Sequence, residues 1–322
     1  MATNRSNITL EKTNEEDWTP VPASHCISWL VVFGIECLAV VILNAITFIV
    51  FVKQRQLHRK STYLIINLAI VDFFVGAVNG PLLIELFGSS FCDLWESVRP
   101  DSFWLLISEI SLGHNIYKNS FLNLAFISLE RAHATFRPFK HRFVEKWVYG
   151  VMISVTWLVP VVMTATYYGL LIRFHLGAKI ISAYFSYFSI HLFVIFVCYV
   201  SIFIKVRRRR LPRHHGAASL RERKLTSTLF LITFESLLTL LPGVVYYGLE
   251  SFNSKLRLAF SNPIYIYMVL STLNVLNSLI NPITYAIVMP ELRAGILQII
   301  FRRAPRGSNA VNIPLQDRSF IC

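Results

Sequence analysis

Seven apolar stretches, at residues 27–51, 62–87, 103–136, 147–168, 178–206, 225–248 and 263–288, alternate with short polar segments along this chain. Each can cross a hydrocarbon layer about 30 Å thick, which takes roughly 20 helical residues. In lipid every backbone N–H and C=O must be satisfied inside the segment, so each stretch predicts a transmembrane α-helix. The third and fifth exceed the required length and are expected to tilt or to project into the cytosol. Residues 290–303 carry apolar and basic positions at helical spacing. They are too few to span and suit a helix lying in the interface. The expected architecture is an all-α membrane protein. It comprises an outer tail (1–26), a seven-transmembrane helix bundle (27–288), a short amphipathic eighth helix (289–304) and an inner tail (305–322).

Composition agrees: of 322 residues, 54% are hydrophobic and only 15% charged, too apolar for an ordinary soluble domain. The charges orient the bundle. Lys53, Arg55, Arg59 and Lys60 follow the first stretch; Arg137, Lys140, Arg142 and Lys146 follow the third. Arg207–Arg210, Arg221, Arg223 and Lys224 follow the fifth, and Arg293, Arg302 and Arg303 the seventh. Basic loops stay on the cytoplasmic side, so the N-terminus is expected outside and the C-terminus inside. The net charge of +13 therefore faces anionic lipid and no nucleic acid. No cleavable signal peptide is expected, since the first stretch follows a polar tail and is too long for a signal core. Asn4 and Asn7 open glycosylation triplets in the outer tail. Cys26 and Cys92 lie on the outer, oxidising side, where they could bridge or stay apart. Cys37 and Cys198 fall inside spans and read as packing residues.

Polar groups inside the spans carry the functional reading, because they are costly in lipid and face the bundle interior. Asn281-Pro282 interrupts the backbone ladder near the cytoplasmic end of the seventh stretch and makes Pro282 a hinge; Pro242 is a second hinge in the sixth. Asp72 lies mid-membrane, with Asn44, Ser120, Asn277 and Asn281 at similar depth. One carboxylate with hydroxyl and amide oxygens suits a small cation, sodium being the obvious one; the alternative is a hydrogen-bonded network that fixes helix register. On the third stretch Gly113, Tyr117, Ser120, Leu124, Ile127 and Arg131 recur at spacings of three and four, so they share one face. Arg131 follows Glu130 at the cytoplasmic boundary, and Glu222 stands at a matching depth before the sixth stretch. An Arg131–Glu222 pair would latch the third helix to the sixth, the alternative being an arginine that snorkels alone. Lys118 and Glu235 lie deep in their stretches and must find partners, each other or the Asp72 network among them.

The ordered set Asn44, Leu68-Ala69…Asp72, Glu130-Arg131-Ala132, Arg137-Pro138-Phe139, Trp157, Tyr199, Pro242, Asn281-Pro282…Tyr285 and Glu291-Leu292-Arg293 resembles the rhodopsin-like (class A) G-protein-coupled receptors along the whole membrane region. The resemblance implies a plasma-membrane receptor that couples an extracellular ligand to a heterotrimeric G protein. It implies that Arg131, Glu130, Pro138 and Phe139 serve coupling, that Tyr199 and Tyr285 swing inward in the active state, and that Asp72, Ser120, Asn277 and Asn281 hold sodium. It assigns Asn67, Asn123 and Trp157 to a structural hydrogen-bond cluster. The chain also departs from the family pattern. Ala132 replaces an aromatic, Leu106 stands where a bridged cysteine is usual, and His191 replaces a proline. Thr239-Leu240-Leu241-Pro242 replaces Cys-Trp-X-Pro, while Phe121 and Ser236 replace other members of the relay. The missing bridge and proline, the short second outer loop and Pro290-Glu291-Leu292-Arg293 resemble the melanocortin, lysophospholipid and cannabinoid branch.

The ligand pocket is expected to open outward, lined by Glu85, Glu109, Gly113, His114, Tyr117, Tyr187, Tyr247 and Ser271. Gly113 occupies the place of the amine-receptor aspartate and Val275 that of the opsin lysine, so a peptide or lipid-like ligand is expected ahead of an amine. Activation is expected as a population shift in which the sixth helix pivots near Pro242 and the Arg131–Glu222 pair opens. The alternatives are a non-signalling scavenger or partner subunit of the same fold, or a transporter, although one Asn-Pro break lacks the paired interrupted helices of transporters. No nucleophile–base pair or metal-ligand cluster suggests an enzyme, and sodium is the only ion expected.

Overall fold

A computed structural model describes residues 21–54, 60, 62–96, 103–174, 177–208, 231, 234–249 and 263–301. The described elements are helical: α1 (Ala23–Lys53), α2 (Thr62–Phe74), a π-helical turn (Val75–Asn79), α3 (Gly80–Glu85), a second π turn (Leu86–Phe91), α4 (Phe103–Phe136), α5 (Pro138–Arg142), α6 (Lys146–Phe174) and α7 (Gly177–Arg208). They continue with α8 (Phe234–Leu249), α9 (Pro263–Val288) and α10 (Pro290–Phe301). Together they form the seven-transmembrane bundle, with α2, α3 and their π turns making one span, Thr62–Phe91.

Three spans run well past the expected boundaries, the second of them to Phe91 against an expected 87. The first helix starts at Ala23, directly after Pro22, and the fourth runs on to Phe174. Helices continue into the interface once lipid-depth residues have set them, so hydropathy alone marks their ends too early. Among the described residues five helices are long and apolar enough to cross a membrane. The 34-residue α4 is not among them, and its sequence holds Glu109, Lys118, Glu130 and Arg131 together with His114, Asn115, Asn119 and Asn123. The sixth span is described only as Phe234–Leu249, so its expected start at 225 lies outside the described residues, as do Asn4 and Asn7.

The irregular second span follows from Pro81, which has no N–H to offer the preceding turn, and the ladder widens to π geometry beside it. Its last π turn closes with Cys92 N–H on the Phe87 carbonyl (2.9 Å) and delivers Cys92 to Cys26. The two form a disulfide, Cα atoms 6.1 Å apart and 66 residues apart in sequence, that ties the head of α1 to the end of the second span. Closing a loop of that length stabilises the fold by about 4 kcal/mol in the chain-entropy account.

Small residues let α1 approach the second span. A Cβ at Gly76 would stand 2.7 Å from the Cys37 carbonyl oxygen, and one at Gly80 2.8 Å from Cys37 Sγ. Close backbone approach replaces the hydrophobic drive that lipid cannot supply. Gly76→Ala is expected to spread these helices at a cost of about 1–3 kcal/mol, read as a lower melting temperature in nanodiscs. An unchanged melting temperature would show that the notch is not tight.

The largest buried cluster lies in the cytoplasmic half. It joins Phe51 and Val50 of α1, Leu64, Ile65 and Leu68 of α2, Leu124 and Ile127 of α4, Tyr149 of α6, Ile195 and Tyr199 of α7, Tyr285 of α9 and Leu292 of α10. The fully buried Leu292 pins the interfacial helix to the bundle. Outward faces such as Val31, Val32, Ile35 and Leu38 on α1 and Phe193 and Phe196 on α7 are apolar and exposed, as lipid contact requires.

Candidate functional site

Pro282 removes one donor from α9, which orphans the carbonyl of Ser278 one turn earlier. Asn44 of α1 supplies the replacement: its Nδ2 donates to Ser278 O (3.1 Å) and to Val40 O (3.0 Å). The helix therefore runs through the Asn-Pro pair unbroken, and the defect becomes a tie between α1 and α9. Beside it stands Asp72, fully buried. Ser278 Oγ donates to its Oδ1 at 2.8 Å, Asn281 Nδ2 to its Oδ2 at 2.7 Å, and Ser120 Oγ to Oδ1 at 3.5 Å. Ser120 and Asn281 thus meet Asp72 as the sequence suggested. Asn277 does not: its amide oxygen accepts from Thr239 Oγ1 (3.3 Å) and ties α9 to α8. Ser278, which the sequence reading passed over, takes the place beside the carboxylate. One carboxylate with two hydroxyl oxygens is a set of hard oxygen ligands of single charge, which fits a monovalent cation, while Asn281 turns its N–H to the carboxylate. Among the described residues no group of three or more His, Cys, Asp or Glu gathers for a transition metal.

Lys118 and Glu235 have separate partners. Lys118 Nζ donates to Thr164 Oγ1 (2.6 Å), which donates on to Asn115 Oδ1 (2.6 Å), linking α4 to α6. Glu235 Oε2 accepts from Thr284 Oγ1 (2.7 Å), linking α8 to α9 one turn below Asn281. Thr239, one residue before Leu240, which stands where the family places an aromatic, also has its hydroxyl oxygen 3.1 Å from each of the carbonyl oxygens of Glu235 and Ser236. Above them Phe121 meets Phe188 edge to face at 4.5 Å within the Phe121, Tyr187, Leu192 and Leu240 cluster.

At the cytoplasmic end Arg131 is buried against its own neighbour. Arg131 Nη2 donates to Glu130 Oε1 (2.6 Å) while its Nε engages Oε2, a two-point pair. Glu130 also meets His141 Nε2 (2.7 Å) and accepts from the Tyr149 hydroxyl (3.2 Å). His141 reaches it because Pro138 starts α5 immediately after α4 ends, turning the inner loop back beneath Glu130. Phe139 on that helix is exposed (78%), as is Phe143 (83%). Glu222 lies outside the described residues, so the described partner of Arg131 is Glu130. Tyr285 is fully buried, edge-on to Phe51 at 6.1 Å, and shares the buried cluster with Tyr199.

The cluster assigned to structure is assembled. Asn67 Nδ2 donates to Asn123 Oδ1 and Thr156 Oγ1 (both 3.2 Å), and Trp157 Nε1 donates to Asn67 Oδ1 (3.0 Å). The expected ligand-lining set is more divided. Glu85 Oε2 accepts from Trp95 Nε1 (3.0 Å), so its carboxylate is engaged at the rim. The Tyr187 hydroxyl donates to the Lys118 carbonyl (2.9 Å) and its ring lies against His191, at 4.2 Å between centroids. Gly113 is filled from behind, since Asn79 Nδ2 donates to its carbonyl (3.1 Å) and a Cβ there would meet Asn79 Oδ1 at 3.3 Å. Tyr117, Tyr247 and Ser271 are partly buried. The side chains of Glu109 and His114 lie outside the described residues.

The description "7 transmembrane receptor (rhodopsin family)" matches residues 43–173 and 172–285. Trace amine-associated receptor 8b of Rattus norvegicus is 24% identical over 336 residues, covering 91% of each chain. Trace amine-associated receptor 6 of Homo sapiens is 24% identical over 330 residues, covering 90% of this chain and 89% of the relative. The histamine H4 receptor of Rattus norvegicus matches over a shorter span, 28% over 139 residues and 41% of this chain. Squid rhodopsin shares the fold, with a TM-score of 0.71 at 22% identity over 88% of each chain. These relatives are not of the melanocortin, lysophospholipid and cannabinoid branch that the outer-half departures suggested, since loss of a bridge and a proline can occur in any branch. The match across the membrane region, on a bundle with this geometry, places the chain in the rhodopsin family of seven-transmembrane receptors, the class A G-protein-coupled receptors.

Proposed function

We propose that this receptor converts binding of an extracellular ligand into G-protein activation by outward movement of the sixth helix, and that the Arg131–Glu130–His141–Tyr149 assembly holds its resting state. That assembly is the observation that carries the reading. A buried guanidinium committed to a carboxylate on its own helix turn is unavailable to a partner. Its release exposes a charged donor beside the exposed Phe139. Glu222 latching the sixth helix is part of the same proposal. Tyr199 and Tyr285, already packed in one cluster, would close inward once the pair opens. The basic inner loops would steer the G protein. Asp72, Ser120, Ser278 and Asn281 would hold sodium, whose charge would stabilise an ionised Asp72.

The ligand we propose is peptide or lipid-like, entering between α4, α7, α8 and α9. The face of the third span at Gly113 offers no carboxylate, and Asn79 occupies the notch behind it. A second reading, a simple amine, is favoured by the names of the relatives, which are trace-amine and histamine receptors. A G-protein activation screen in cells decides, using peptide, lysolipid and small-amine libraries with Arg131→Ala as control and surface expression measured. A peptide or lysolipid response absent in the control is the expected result. A response confined to amines overturns the ligand class. A surface-expressed receptor that responds to none, and has no basal activity, favours the non-signalling scavenger.

A further inference from the structure

Trp147, Val151, Ser154, Leu158 and Val162 recur on α6 at spacings of three and four, and all are exposed. The stripe is apolar but for Ser154, whose hydroxyl donates back to Gly150 O (3.0 Å). Such a stripe on a membrane helix is its lipid face, and Trp147 marks its cytoplasmic end. An indole suits that level because its body is apolar and its N–H polar. Phe143, four residues earlier, is more exposed still. Cations are interleaved with the two rings in the run Arg142-Phe143-Val144-Glu145-Lys146-Trp147, and both Arg142 and Lys146 are exposed. Glu145 is the one carboxylate between residues 137 and 150 and is exposed too.

The backbone beneath these side chains is fixed. Lys60, ahead of α2, donates its Nζ to the carbonyls of Arg142 (3.2 Å) and Val144 (2.5 Å). The Phe143 N–H donates to Lys140 O (3.1 Å), that of Val144 to His141 O (3.2 Å) and that of Val148 to Glu145 O (3.3 Å). The inner side of the corner is occupied, since Val144 and Tyr149 pack in the cytoplasmic cluster and His141 meets Glu130. Arg142, Phe143, Lys146 and Trp147 are thus presented outward from a rigid turn, and little ordering remains for a ligand to impose. Water is a poor partner for the rings, and hydrocarbon is a poor partner for the cations. An acidic protein surface would answer the cations but not the continuity of Trp147 with the lipid face. A phospholipid with an anionic headgroup offers both parts in order: acyl chains along the α6 stripe, and phosphate at the level of the guanidinium and ammonium.

We infer that Arg142, Phe143, Lys146 and Trp147 form a binding site for an anionic phospholipid of the inner leaflet, at the corner between α5 and α6. The site needs neither an extracellular ligand nor a G protein. It differs from the general attraction of basic loops to an anionic leaflet in being one corner, where charge and lipid-facing rings are joined on a fixed backbone.

The test counts the lipids that the purified full chain retains in native mass spectrometry. Phosphatidylinositol bisphosphate and phosphatidylcholine are the probes, and inositol trisphosphate is the headgroup without its chains. Wild type is expected to retain the anionic lipid in preference to phosphatidylcholine. Arg142→Gln/Lys146→Gln should weaken that retention roughly thirty-fold, at about five-fold for each cation near a charged headgroup. Lys53→Gln/Arg293→Gln, which removes two exposed cations elsewhere on the inner face, should weaken it far less. Phe143→Ala/Trp147→Ala should weaken retention of the lipid and leave the contact with inositol trisphosphate as it was. Glu145→Lys should tighten retention about five-fold, a gain that a damaged fold cannot produce. The proposal is overturned if wild type shows no preference for the anionic lipid, or if the two cation pairs weaken retention equally. Displacement of the lipid by inositol trisphosphate at matching concentration would make this a site for soluble anions and would overturn it as well. Unchanged retention in Arg142→Gln/Lys146→Gln, with nucleotide exchange lost, would make the corner a G-protein contact instead and equally overturn the lipid site.

Discussion

Asp72→Ala is expected to lower the stability of the receptor by about 3–5 kcal/mol, the cost of stranding several buried donors at once. Asn281 Nδ2, Ser278 Oγ and Ser120 Oγ all point at this carboxylate, from α9 and α4, and it is fully buried. Without it their hydrogens face each other or hydrocarbon. Asp72→Asn keeps the shape and one acceptor oxygen, so it should cost about 1 kcal/mol. The two variants separate the hydrogen-bond role from the ionic one. If Asp72 also holds sodium, wild type should melt higher in sodium than in potassium, and Asp72→Asn should show no such difference. Melting of purified receptor in nanodiscs reads both effects. An alanine variant within about 1 kcal/mol of wild type would show that the network does not hold the bundle.

This network shows what the chain reveals before it folds and what it does not. Asp72, Ser120 and Asn281 are legible because a charged or amide group in an apolar run has few reasons to be there. The choice between Asn277 and Ser278 is not legible. They are adjacent, both polar, and each lies within a turn of Asn281, so helical periodicity cannot decide which faces Asp72. Thr239 decides it in the fold by taking Asn277 toward α8. The spans themselves are legible because hydropathy is a sum over many residues. Their ends and the two π turns are not, since these depend on one proline and on where the disulfide pulls the chain. His141 was hidden for another reason. Its role beneath Glu130 needs the turn that Pro138 imposes, and a histidine in a basic loop carries no signal of that contact.

Glu130→Gln is expected to raise ligand-independent coupling about ten-fold, and adding Arg131→Ala is expected to abolish it. Glu130 is the point where Arg131, His141 and Tyr149 converge. Neutralising it weakens two charge-assisted contacts but leaves the arginine present. Charge-assisted hydrogen bonds contribute about 1.5–3 kcal/mol each, and loss of about 1.4 kcal/mol from the resting state shifts the population ten-fold toward the open one. The freed guanidinium can then offer its donors to carbonyl groups of a G protein, which alanine cannot do. Guanine-nucleotide exchange on purified G protein by nanodisc receptor reads the series without any ligand. The three proteins should show low, raised and no activity in the order wild type, Glu130→Gln and Glu130→Gln/Arg131→Ala. His141→Ala should fall between the first two, because it removes one contact to Glu130 and leaves the Arg131 pair. A double variant as active as Glu130→Gln would separate Arg131 from coupling. A silent Glu130→Gln of normal stability would mean that the buried pair does not restrain the resting state.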